Sequence, residues 1–464
     1  MNVRWNMAWG IMLLMSIPAV LADENAALAA SASSEKLQAF LDHCRQQYAE
    51  IDQRIDRAGV GDASYFRLPG YPYLRTDRLM SSYRGELDEL DKFGTWMLQL
   101  REYDSLARED ELINLGMPQV ERAGLLEDLR VCAVWLSYAE TADEAGRERL
   151  FQAATLSEHP PQCVAQAPDG TPLHSVPTRQ GTGASRWQLW HNSMDVQQPA
   201  DLSAASRDEL GRIGLPMDQW AELAAAHAPQ LLVETSGAND VPGTPVLRGQ
   251  QVEVDAHTPA VYYRIDYTRL GQRTLIQLEY FLWFAASSGG APHSLIWRVT
   301  LDERGTPLLY DSVQANGGEP QWFTGQALTV RPALLNGSAI ERAVQHVPAT
   351  SFALRIERTQ HRLSRLVALD QEQTHKYAPR EYRLRRYEDL FALPDGDGGS
   401  RSLFGPDGVL RGYRPTAACG SDRVPRQWGH LVVTIGGQPY YYDDPRLIEK
   451  LFNLPAHPNQ QAFR

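Results

Sequence analysis

The period of the apolar residues changes once along this 464-residue chain, and that change limits what it can fold into. From Ser34 onward Leu37, Phe40, Leu41, Cys44, Tyr48, Ile51 and Ile55 recur at spacings of three and four, which puts them on one face of a helix with Ser34 available as its cap. The spacing returns at Leu87, Leu90, Phe93, Met97 and Leu100, near Val120 to Leu136, and near Glu144 to Ala154. From Pro229 the period is two. Val261, Tyr263, Ile265 and Tyr267 alternate with Tyr262, Arg264, Asp266 and Thr268, and after Gly271 the segment Thr274 to Trp283 returns as the second arm of a long hairpin. A second hairpin runs from Ser294 to Leu301, turns at Asp302 to Gly305, and returns from Pro307 to Val313. Further strands are expected at Ser351 to Glu357, Arg362 to Leu369, Tyr382 to Arg386 and Leu431 to Ile435, the last turning at Gly436 and Gly437 into Pro439 to Tyr442. The expected class is therefore α+β, with an N-terminal helical region and a C-terminal, mostly antiparallel β-sheet domain.

Four segments follow from this pattern: a signal peptide over 1–22, a helical region over 23–157, a linker with short helices over 158–227, and a β-rich domain with a C-terminal helix over 228–464. The first rests on Arg4, the apolar run Gly10 to Ile17 and the small residues up to Ala22, a run too short to span a bilayer comfortably. The expectation is an exported, periplasmic protein with no transmembrane segment after signal removal. Phe66 to Arg75, punctuated by Gly and Pro, must run extended. Gln180 to Ser185 is the best linker candidate, while Trp187 and Trp190 imply that part of that stretch packs against a domain. A short helix is expected over Met217 to Ala226 with Pro216 in its first turn, and another after Asp444 with Pro445 at its first position.

Charge narrows the partners. The net charge of −12 argues against nucleic acid. Residues 23–157 carry 15 Lys/Arg against 25 Asp/Glu, which reads as the solvated outside of a helical bundle or as an acidic docking surface. Between Arg355 and Arg386 the sign reverses, with nine Lys/Arg against four Asp/Glu; this stretch is expected to dock the acidic helical half or an anionic ligand. The four cysteines, Cys44, Cys132, Cys163 and Cys419, contain no C-x-x-C pair, and export permits up to two disulfides. Cys44 and Cys132 lie in helical apolar stripes that also suit buried thiols, and Cys163 with Cys419 is a candidate tie between the halves.

There is no G-x-S-x-G elbow, H-E-x-x-H helix, phosphate loop or dinucleotide fingerprint. Asp395-Gly-Asp397 breaks the EF-hand pattern at Ser400 and Pro406 and reads as a Gly-rich loop. No cofactor is expected, and no two histidines sit at close ligand spacing; His293 and His430 are the pair to test for a distant base or ligand. The hairpins hold the most suggestive polar set: Arg264 and Asp266 on one strand, Gln277 and Glu279 on its partner, and Arg298, Asp311 and Ser312 on the second hairpin. These are either the solvated face of a half-buried sheet or a polar pocket walled by Tyr263, Trp283 and Trp297.

Leu68 to Arg75, Tyr267 to Arg269, Gln277 to Tyr280, Trp297 to Leu301, Leu309 to Ser312, Ser402 to Gly408, Arg426 to His430 and Asp443 to Ile448 together resemble a family of uncharacterised exported proteobacterial proteins. The resemblance implies a Cys- and His-containing segment directly after Tyr310-Asp-Ser312, suited to a metal or thiol site. Here Val313 to Trp322 has neither residue type, and the family implies no activity. The reading is an envelope protein that binds a polar small molecule, a glycan or a protein partner without turnover, through Arg264, Asp266, Glu279, Trp297, Arg298, Asp311 and Ser312, with Trp428 and His430 added. Its alternatives are a periplasmic hydrolase using Asp311, Ser312 and His293 or His430, and an assembly protein docking through its acidic helices.

Overall fold

The computed structural model describes residues 24–160, 186–194, 201–286, 290–324, 328–331, 344–348, 351–370, 376–414 and 424–453. The expected signal segment, Gln180 to Ser185, Cys163 and Cys419 lie outside them.

The helical region is built from α1 (Glu24–Ala58), the hairpin β1 (Phe66–Leu68) and β2 (Tyr71–Thr76), the single turn α2 (Arg78–Ser81), and α3 (Leu90–Asn114), α4 (Gln119–Glu140) and α5 (Glu144–Ala154). The extended Phe66 to Arg75 stretch is thus a tight hairpin, and Gly70, at φ +84°, supplies the left-handed residue of its turn. Cys44 and Cys132 form a disulfide that joins α1 to α4. Leu41, Tyr48, Tyr73, Trp96, Leu100 and Leu136 close the core around it. Part of the acidic surplus is internal: Arg75 bonds Asp104 at 3.1 Å and Glu111 at 2.8 Å, and Arg108 bonds Asp104 and Asp52, each at 2.9 Å. Buried guanidinium and carboxylate groups are tolerable only when paired in this way.

The remaining elements are β3 (Arg186–Asn192), α6 (Met217–Ala226), β4 (Gln230–Thr235), the hairpin β5 (Thr244–Arg248) and β6 (Gln251–Asp255), β7 (Ala260–Leu270), β8 (Arg273–Phe284), β9 (His293–Leu301), β10 (Pro307–Gln314), β11 (Gln321–Thr324), β12 (Thr329–Val330), β13 (Val344–His346), β14 (Phe352–Ile356), β15 (Leu363–Ala368) and β16 (Arg380–Arg386). The short pairs β17 (Leu393–Pro394) with β18 (Ser400–Arg401) and β19 (Val432–Ile435) with β20 (Gln438–Tyr441) follow, then α7 (Leu447–Leu451) and β21 (Phe452–Asn453), which pairs β12. Asp395 closes the Gly-rich loop between β17 and β18 by accepting the Asp397 and Gly399 amides. The α7 helix starts later than expected, at Leu447; the Asp444 carboxylate takes the Arg446 amide and binds Lys450.

One sheet of 11 strands, ordered β13-β11-β10-β9-β8-β7-β16-β3-β4-β14-β15, organises the C-terminal half. Its β7–β11 stretch is antiparallel, as the two hairpins require, while β16 enters parallel to both β7 and β3, making the sheet mixed. Within the stretch expected as a linker, Arg186–Asn192 is an internal strand with Trp190 buried. The sheet curls until β14 meets β10: Phe352 lies 5.5 Å from Tyr310 and 6.3 Å from Trp297. Its concave side, filled by Tyr263, Leu278, Tyr280, Trp297 and Phe323, also receives Leu223 and Ala224 of α6. Its convex side carries Tyr262, Phe281, Trp283, Ile296 and Trp322 and is covered by Tyr387, Phe404, Trp428, Tyr442 and Leu447 from the last quarter of the chain. In the basic stretch, Arg355, Arg380 and Arg385 lie over Trp187, Trp190 and Tyr262, and Arg386 pairs with Glu388.

Candidate functional site: a charged row under the C-terminal cover

Alternation along the strands decides which polar residues meet. The register places Arg264 opposite Glu279, Glu279 opposite Arg298, and Arg298 opposite Asp311, so four residues of alternating charge cross β7, β8, β9 and β10 in one row. The row is on the convex side, and the cover buries it: relative exposures are 8%, 0%, 1% and 0% in that order. A solvated sheet face is thereby ruled out. Ser312 and Trp297 point the other way. The Ser312 hydroxyl donates to the Ile296 carbonyl at 2.9 Å, and the Trp297 ring stacks on Tyr310 in the concave core. Tyr263 is also concave, so the expected aromatic wall is divided between two faces. The hydrolytic set does not assemble either, since Asp311 and Ser312 face opposite sides. His293 lies at the start of β9, and His430 meets the Ala63 carbonyl at 3.0 Å.

At the far end of the row Arg298 Nε donates to Asp311 at 2.9 Å, Arg298 also reaches the Tyr442 carbonyl, and the Tyr442 hydroxyl donates to Asp311. Burial pushes the Asp311 carboxyl up, against the attraction of Arg298. In the middle, both Glu279 oxygens are buried without a hydrogen-bonding partner among the described residues. Burial, reinforced by Asp266, drives that carboxyl well above its usual range despite Arg264 and Arg298 on either side.

At the near end the row opens into a cleft between the sheet and the helical region. Its walls include Asp77 and Arg78 at the start of α2, Arg264, Asp266 and Gln277 of the first hairpin, and Trp428 and Asp443 of the cover, with Phe66 beside them. Asp266 is oriented by Arg264 at 3.2 Å and by the Trp428 indole N–H at 3.1 Å. Arg78 grips Asp443 at 2.7 and 2.9 Å, donates to the Gly429 carbonyl, and lies over the Tyr441 ring at 3.4 Å. Asp77 caps α2 by accepting the Met80 amide at 2.7 Å. Its carboxyl is pushed up to about 6, first by burial and then by Asp266. Asp443 is also raised by burial, with Arg78 opposing. Two guanidinium Nε atoms in these walls, of Arg78 and Arg264, are buried and unpartnered among the described residues. The cavity within these walls is small, about 10 Å³, and opens to the surface.

The structure brings together the expected candidates Arg264, Asp266, Glu279, Arg298, Asp311 and Trp428 in the row and its cleft, beside Asp77, Arg78 and Asp443, which were not among those candidates. The signal for the missed residues was local and weak: Asp77-Arg78 follows an extended Pro/Gly stretch, and Asp443-Asp444-Pro445 follows a strand. Among the described residues no group of three or more His, Cys, Asp or Glu is placed to hold a metal ion. None of the described helices is long and apolar enough to cross a membrane. Comparison with protein-family models, with curated proteins and with solved structures finds no match.

Proposed function

We propose that this exported envelope protein binds a small, neutral, polyhydroxyl ligand of the carbohydrate class at the mouth of the cleft between α2 and the first hairpin, without turnover. The observation that carries the reading is the balance of the walls. Arg78 and Arg264 face Asp266 and Asp443, and Asp77 adds a carboxyl that holds its proton further up the pH scale than an ordinary aspartate. Such a wall repels neither sign strongly and offers donors and acceptors together, which matches hydroxyl groups that both donate and accept. Phe66, partly exposed beside the cleft, supplies apolar surface there. Fixed pairing of Asp266 and Asp443, with Ser312 on the other side of the sheet, leaves no nucleophile and base converging there among the described residues, in keeping with binding rather than hydrolysis. Export accords with the apolar N-terminal run and with the Cys44–Cys132 disulfide.

The test is a melting-temperature screen of the full chain against neutral mono- and disaccharides beside their amino and uronic acid counterparts. At a ligand concentration about 100 times Kd, binding to the folded state stabilises by about 2.7 kcal/mol. A neutral sugar is expected to raise the melting temperature, and Asp266→Asn is expected to abolish the rise. If only charged sugars act, or none does, the reading fails.

A further inference from the structure

A second polar constellation lies away from the cleft, where the turn between β14 and β15 meets the start of β9. His361 is buried, 2% exposed, and occupies the left-handed region at φ +51°, a strained position for a residue with a side chain. Its ring lies flat on Phe284 at 4.2 Å, with only 1° between the planes. His361 Nε2 meets Asp240 Oδ1 at 3.2 Å, and the other Asp240 oxygen accepts the Ser236 and Gly237 amides. A carboxylate fixed in that way accepts a hydrogen bond from the Nε2–H of His361 and leaves its Nδ1 with the lone pair. That Nδ1 is 2.9 Å from Nδ1 of His293, which is half-buried at the end of its strand.

We infer that His293 and His361 form a two-nitrogen chelate for a late transition-metal dication, with Cu(II) preferred to Zn(II). A carboxylate, a histidine whose far nitrogen it holds, and a ligating nitrogen on the near side are the parts from which protein metal sites are built. The spacing sets the preference. Two nitrogens about 2.0–2.1 Å from one ion stand about 2.9 Å apart when they subtend a right angle and about 3.3 Å apart at a tetrahedral angle. The right angle is that of tetragonal copper. Binding inserts the ion in place of the hydrogen between the two Nδ1 atoms, and His293 turns to its Nε2–H tautomer, so the neutral pair takes up the ion without net proton release. Among the described residues no third His, Cys, Asp or Glu joins the pair. Asp240 offsets part of the dication's charge from beyond His361.

The experiment titrates CuSO4 into the full chain near pH 7.5 and records electron paramagnetic resonance spectra. One ion per chain with nitrogen hyperfine structure is expected. The signal should vanish in His293→Gln and in His361→Asn, the latter chosen because asparagine accepts a left-handed backbone. Asp240→Asn should weaken binding about 10- to 100-fold. His430→Gln should leave it unchanged. Absence of a nitrogen-ligated ion in the wild type overturns the inference, as does its persistence in His293→Gln. Because His293 is half-buried at a strand end, that variant decides the matter even if His361→Asn fails to fold.

Discussion

Asp77 is where one side chain serves both local structure and the cleft. As a helix cap it needs only an oxygen for the Met80 amide, which asparagine supplies equally well. The folded protein holds its carboxyl proton to about pH 6, whereas the unfolded chain releases it near 3.8. The folded state therefore loses stability from this group as pH rises between those values, and the deficit persists above them. Asp77→Asn is expected to gain on the wild type through that window and to level off above pH 6, by an amount limited to about 3 kcal/mol. Thermal melts of both proteins from pH 4 to pH 8 measure it, and a flat difference would mean that Asp77 titrates as it does in water. At this scale the sequence held more than composition alone suggests. Strict alternation already put Arg264, Asp266, Glu279, Arg298 and Asp311 on faces opposite to Tyr263, Trp297 and Ser312 within their own strands. Which of those faces would be covered depends on Trp428 and Tyr442, more than a hundred residues away, and that was not legible.

Elements were read best where the period was long and uninterrupted. The hairpins of β7 with β8 and β9 with β10, and the helix Met217–Ala226, stand where the pattern put them, because the side-chain period marks the element type and the short turns fix the register. The strand Arg186–Asn192 was obscured by the polar sequence around it, and its place between β16 and β4 comes from long-range pairing. Between α1 and α4 the cysteine arithmetic left several pairings open, and the helix packing selects Cys44 with Cys132 by bringing the two stripes into contact. With 88 residues of sequence separation, this bond restricts the unfolded chain strongly. Its loss in Cys44→Ser/Cys132→Ser is expected to reduce stability by about 2–5 kcal/mol in denaturant unfolding, with the helix content of the folded state retained. A change below about 1 kcal/mol would place the bond outside the cooperative core.

Across the whole molecule, the helical region and the sheet are joined by buried polar contacts rather than by a broad apolar seam at the cleft. Arg78 to Asp443, Gln427 to Ser64, Arg269 to Glu86 and Asn114 to the Phe391 carbonyl all cross this boundary. Arg78→Met leaves Asp443 buried without its cation, and the expected cost is about 3–5 kcal/mol. Because these contacts make the halves one cooperative unit, the loss should appear at the same denaturant midpoint by far-ultraviolet dichroism and by tryptophan fluorescence; separated midpoints would mean that the halves unfold independently. By itself the sequence determined the α+β class, the principal helices, the two long hairpins and the alternation of charges along their strands, since periodicity is a local consequence of backbone geometry. Only the tertiary structure decided that β16 joins β7 in parallel, that the tail of the chain roofs the charged row, and that Asp77 and Arg78 come to face Asp266 and Asp443. Those outcomes depend on contacts between residues hundreds of positions apart, for which a single chain carries no local signal.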